Sequence, residues 1–127
     1  MRRLITIGVV AVIAIAIVAV ALKASAGEPE REITLVARDM AFYLPEGGAP
    51  NPPLELARGE SARLTLINRD RGIEHDLAVE SLDLEIGAIP GDGASRTVEL
   101  RAPREAGDHE YVCRLHDRMM RGRLIIR

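Results

Sequence analysis

YVCRLHDRMMRGRLIIR, residues Tyr111 to Arg127, holds the only cysteine of the chain, Cys113, followed by His116, Met119 and Met120. A thiolate, an imidazole and a thioether so close together are ligand types that suit copper. The flanks, YVC and GRLIIR, predict two strand ends, with the donors on the turn between them. A turn can aim several side chains at one point while the strands hold it still. One donor is missing from the stretch and must come from elsewhere in space.

Working outward, the chain keeps returning to period two. Glu32 to Arg38 alternates, with Ile33, Leu35 and Ala37 on one face, the pattern of a half-buried strand. Met40 to Leu44 stays apolar up to Pro45, and Met40, Phe42 and Tyr43 are expected in the core or covering a loop. Residues 45–53, PEGGAPNPP, form a loop because Pro and Gly dominate them. Leu54 to Ala57 predicts a short strand. Ser61 to Asn68 predicts another, with Ala62, Leu64 and Leu66 facing in. Asn68 to Gly72 is a polar turn, and His75 to Val79 is the next strand. The stretch from Ser81 to Ser95 is ambiguous apart from a turn at Pro90 to Gly93. Thr97 to Arg101 alternates again, and His109 to Cys113 leads into the donor turn. Short alternating runs separated by Pro and Gly turns indicate an all-β Greek-key sandwich.

Two other histidines could supply the missing donor. His109 lies four residues before Cys113 on the same strand, about 13 Å away at ~3.3 Å per residue, and it is flanked by Asp108 and Glu110. His75 follows the polar turn. In a Greek-key sandwich, strands remote in sequence bring their ends to the same pole, so His75 is preferred. Two histidines, a cysteine and a weak methionine make the trigonal site with a long axial thioether that is used for copper electron transfer.

At these residues the sequence resembles the cupredoxin (blue copper) family. The matching residues are His75 after the turn beginning at Asn68, then Tyr111-Val112-Cys113, His116 and Met120-Arg121-Gly122. The resemblance implies a sandwich of seven or eight strands with one copper ion at one pole, cycling between Cu(II) and Cu(I). It favours Met120 as the axial ligand, with Met119 the other candidate, because the family places a methionine two to four residues beyond the second His, commonly followed by a basic or small residue and Gly, and Met120-Arg121-Gly122 fits that ending. It also implies that His116 is partly exposed and faces a redox partner. Many family members carry Asn directly after the first His; here the residue is Asp76, and Arg114 beside Cys113 could pair with it and tie the two ligand segments together. Arg114, Arg118, Arg121 and Arg123 are either a docking patch for an acidic partner or an ordinary solvated edge. The alternative within copper binding is a chaperone, storage or resistance protein; its expected sign is an exposed Met/His-rich tract, and only Met119 is spare.

The first residues are not part of that domain. Arg2 and Arg3 precede an apolar run, Leu4 to Leu22, then Ala24-Ser25-Ala26 and a polar stretch. That is the layout of an export signal, and the run is also long enough for a membrane anchor. Residues 1–26 are therefore expected as signal peptide or anchor, 27–32 as linker and 33–127 as the domain. Either way the domain is placed outside the cytoplasm, periplasmic or at the cell surface, with membrane contact only if the run is retained. The exported part carries fourteen arginines against nineteen carboxylates, a formal charge of −5. That balance, with no basic stripe, excludes nucleic acid as the expected partner. A lone thiol in an oxidising compartment is a liability unless something occupies the sulfur. No nucleophile, base and open metal position can be assembled from the remaining residues, so an enzyme is not expected. The domain is expected to be a monomer.

Overall fold

The computed structural model describes residues 31–127; the N-terminal segment expected as signal or anchor lies outside the described residues. Nine strands run β1 (Arg31–Arg38), β2 (Ala41–Tyr43), β3 (Leu54–Leu56), β4 (Ser61–Asn68), β5 (His75–Val79), β6 (Leu84–Ile89), β7 (Ser95–Arg101), β8 (Gly107–Val112) and β9 (Arg121–Ile126). They form two sheets, ordered β2-β1-β4-β7 and β3-β9-β8-β5-β6. The chain passes repeatedly from one sheet to the other, so strands far apart in sequence become neighbours. β1 lies parallel to β4, and β3 parallel to β9.

The expected strands are present, and β1 begins one residue before the expected Glu32. The described residues hold nine strands where the resemblance implied seven or eight. The ambiguous stretch is a helical turn, Glu80–Leu82, ended by Asp83 in the left-handed region, and then β6.

The core lies between the sheets. Ile33, Leu35, Leu64 and Leu66 from one sheet join Leu77, Ile86, Tyr111 and Leu124 from the other. Phe42 is fully buried and meets Tyr111 edge-on, with ring centroids 5.6 Å apart, a geometry that aromatic quadrupoles favour. Half-buried Tyr43 carries the Arg38 guanidinium over its ring at 3.9 Å.

β5 is where the sandwich becomes a site. All five of its residues are buried, and its pairing with β6 shifts register between His75 and Leu77. In a regular strand His75 and Asp76 would face opposite sides. A bulge re-aims side chains locally, and here it lets both neighbours meet the loop between β8 and β9.

Candidate metal centre

The loop from Cys113 to Met120 is closed by its own backbone. Cys113 N–H donates to the Met120 carbonyl at 2.9 Å, His116 N–H to the Cys113 carbonyl at 3.1 Å, and Met120 N–H to the His116 carbonyl at 3.0 Å. A helical turn, Arg114–His116, lies between Cys113 and the rest. From outside, the Asn51 amide donates to the Met119 carbonyl at 2.9 Å while its oxygen accepts from Phe42 N–H at 3.0 Å.

β5 brings His75 to this loop. His75 Nδ1 lies 3.7 Å from Cys113 Sγ, although 38 residues separate them. Both side chains are fully buried. The His116 ring stands edge-on to that of His75, with centroids 5.0 Å apart. His116 is half-buried and points Nε2 at the Glu74 carbonyl, 3.2 Å away, which leaves Nδ1 as its available donor atom. Met120 is fully buried, whereas Met119 is 57 % exposed. His109 is elsewhere: it pairs with Leu124 within the sheet, and its Nδ1 bonds the Ser81 hydroxyl at 2.8 Å.

Among the described residues no three His, Cys, Asp or Glu side chains are close enough to form a closed ion cage. The donors meet in pairs, His75 with Cys113 and His75 with His116. Their chemistry and spacing still fit a soft-to-borderline ion. Metal bonds of about 2.3 Å to sulfur and about 2.0 Å to nitrogen, set about 120° apart, separate the two donors by about 3.7 Å. The separation between Cys113 and His75 is that distance.

The surroundings are polar and fully paired. Asp76 accepts the Arg114 backbone N–H at 2.7 Å and its Nε at 2.8 Å, and Arg114 reaches on to Glu85 at 2.8 Å. Burial works against the Asp76 carboxylate, but the Arg114 side chain, the Cys113 side chain and the Arg114 N–H together hold its pKa below the ordinary value. Burial pushes the Cys113 thiol up, with the Asp76 charge adding to the rise. A bound metal would have to enforce the thiolate. On the far side of His75, Nε2 meets the Asp70 carboxylate at 2.8 Å. Burial opposes that carboxylate too, and hydrogen bonds from Met40 N–H, His75 and Asp39 N–H overcome it and lower its pKa.

Sequence reasoning read Asn68 to Gly72 only as a polar turn and so missed Asp70 and Asn68. The available signal was the Asn-x-Asp spacing, which favours a side chain bonding the backbone two residues on; Asp70 N–H does donate to Asn68 Oδ1, at 3.0 Å. Asn51, inside the Pro/Gly loop, carried no signal.

The arginines expected near His116 are largely committed within the chain. Arg114 bonds Asp76 and Glu85, Arg121 bonds Glu110 at 3.4 Å, and Arg123 bonds Asp108. Ile73, Leu115 and Met119 are the exposed large hydrophobic residues among those described, and Leu115 and Met119 share the loop of His116 with the exposed Asp117 and Arg118.

Two β-sheets packed on one core, with soft donors gathered from a distant strand and a closing hairpin, define the class as a β-sandwich with a candidate metal site. The model of the cupredoxin-like domain family matches residues 9–126, and the chain belongs to that family. Solved structures share the fold at low identity. Dithionite-reduced auracyanin from Roseiflexus castenholzii aligns with TM-score 0.62 and 13 % identity, over 79 % of this chain and 99 % of that one. Rusticyanin from Thiobacillus ferrooxidans aligns with TM-score 0.58 and 21 % identity, over 80 % and 79 %. The McoA multicopper oxidase variant from Aquifex aeolicus aligns with TM-score 0.61 and 12 % identity, over 79 % of this chain but 27 % of that one. No curated protein matches the sequence.

Proposed function

We propose that the chain is an exported one-electron carrier whose copper ion is held by His75, Cys113, His116 and Met120. The observation that carries this reading is the 3.7 Å approach of His75 Nδ1 to Cys113 Sγ inside the buried end of the sandwich. Copper, when bound, supplies a Cu(II)/Cu(I) couple that takes up and releases one electron. The chain supplies rigidity: β5, β8 and β9 hold the donors in one geometry, so little rearrangement accompanies the change of charge. Burial of Cys113 and Met120 keeps water from the sulfurs. The half-exposed His116 is the route to a redox partner, and the exposed Leu115 and Met119 on its loop favour a partly apolar contact over a purely charge-steered one.

Three histidines and one cysteine in the whole chain are too few for a second site of this kind, which favours a carrier over an oxidase. The storage or chaperone reading is weaker because the sulfur donors are enclosed. Residues 1–26, as signal or anchor, would deliver a domain spanning 33–127, acting as a monomer, to the periplasm or cell surface.

The test is the metal spectrum. Purified protein given Cu(II) develops an intense visible thiolate-to-copper band with narrow copper hyperfine splitting, and Cys113→Ser abolishes it. A colourless complex of the unaltered protein refutes the carrier function.

A further inference from the structure

We propose that Asp70 is a positioning residue of this centre: its carboxylate takes the Nε2–H of His75, turns Nδ1 toward Cys113 and biases bound copper toward its oxidised form. The bias rests on the copper reading above; the orientation applies to the metal-free chain as well.

An ionised carboxylate can only accept hydrogen bonds. The 2.8 Å contact between Asp70 Oδ2 and His75 Nε2 therefore puts a proton on Nε2. In the neutral ring the lone pair is then on Nδ1, the atom facing Cys113 Sγ. The partner of a ligating imidazole's second nitrogen sets the tautomer and raises the ring's basicity.

Asp70 is built in, not incidental. Its oxygens also accept Asp39 N–H at 2.7 Å and Met40 N–H at 3.1 Å. These two residues form the whole turn between β1 and β2, and both are left-handed, with φ of 52° and 58°. Such turns favour Asn-Gly or Asp-Gly, and a methionine there is an outlier. Strain of this kind persists where the surroundings over-determine it, and here one carboxylate accepts both turn N–H groups. Asn68 locks the other side: it is fully buried, bonds Asp70 N–H, and donates to the Ile73 and Ile89 carbonyls at 2.8 and 2.9 Å. Asp70 thus cannot swing away from the ring.

Its charge also differs in setting from that of Asp76. Arg114 offsets Asp76, whereas among the described residues no arginine lies within ion-pair distance of Asp70, whose side-chain partner is the neutral His75 ring. A fixed negative charge against a ligand, at low dielectric, favours the more positive metal state.

Nitrogen NMR of the metal-free, unaltered protein should find His75 protonated at Nε2; protonation at Nδ1 instead overturns the orienting role. In the copper-loaded protein, Asp70→Asn keeps the shape and removes the charge. It should retain the visible band and raise the midpoint potential, changing the reduced-to-oxidised ratio at fixed solution potential by about tenfold, which is about 59 mV for one electron. An unchanged potential, or an equal rise in the exposed-loop control Asp92→Asn, overturns the bias. If the unaltered protein never develops the band, the carrier function fails and the bias with it, while the NMR result still decides whether Asp70 orients His75.

Discussion

Met119 and Met120 are neighbours in sequence and opposites in environment. Met120 lies in the core, and Met119 stands in solvent beside His116. A leucine at position 120 fills nearly the same volume, and such swaps usually cost less than about 1.5 kcal/mol. With Met120 as the proposed thioether donor, its loss would take electron density from bound copper, so Met120→Leu should keep the visible band and raise the midpoint potential, by about 59 mV for each tenfold change in the redox ratio. Met119→Leu should leave it unchanged. Voltammetry of the two variants decides the axial position; a shift confined to the Met119 variant reverses the assignment. Gly122 has an equally specific reason. A Cβ there would overlap the ring of Tyr111, and that ring is held by its hydroxyl donating to the Pro52 carbonyl at 2.6 Å. The glycine after Met120-Arg121 serves packing beneath the site.

At the scale of elements, two devices assemble the centre. One is the irregularity in β5, which turns both His75 and Asp76 to the β8–β9 loop. The other is Asn51, which ties the β2–β3 loop to the Met119 carbonyl while satisfying Phe42 N–H. Asn51 is itself left-handed, with φ of 51°, a conformation that asparagine tolerates better than most residues. Asn51→Ala removes both side-chain bonds and adds backbone strain, for a loss of about 2–3 kcal/mol in urea unfolding. Asn51→Gly relieves the strain alone and should lose less. Equal losses would show that the hydrogen bonds carry the effect without the backbone.

For the molecule as a whole, the polar end of the sandwich is satisfied: among the described residues no buried side-chain nitrogen or oxygen lacks a partner. Asp70 and Asp76 ionise more readily folded than unfolded. Such a group adds stability above its unfolded-chain pKa of about 4 and loses it as pH falls through the lower folded value. The urea midpoint of the metal-free protein should therefore hold steady from pH 7 to pH 5 and fall below about pH 4. A midpoint that climbs on acidification would contradict this assignment of the two carboxylates.

Period-two alternation and Pro/Gly punctuation made the strands legible, because burial on one face is written residue by residue. Cys113, His116 and the two methionines were legible as a group because one loop carries them. The sequence alone thus determined the β class, the location of the donor loop and the choice of His75 over His109 as the remote candidate. The approach of His75 to Cys113, which of the two methionines is the buried one, and that Arg114 and Asp76 do pair instead of standing as solvated charges needed the packed strands. Asp70 lay hidden because its role depends on three elements meeting: the β1–β2 turn, the end of β4 and the start of β5. No local pattern encodes such a meeting. Long-range proximity is set by how two whole sheets bury their common face, and only the tertiary structure resolves that.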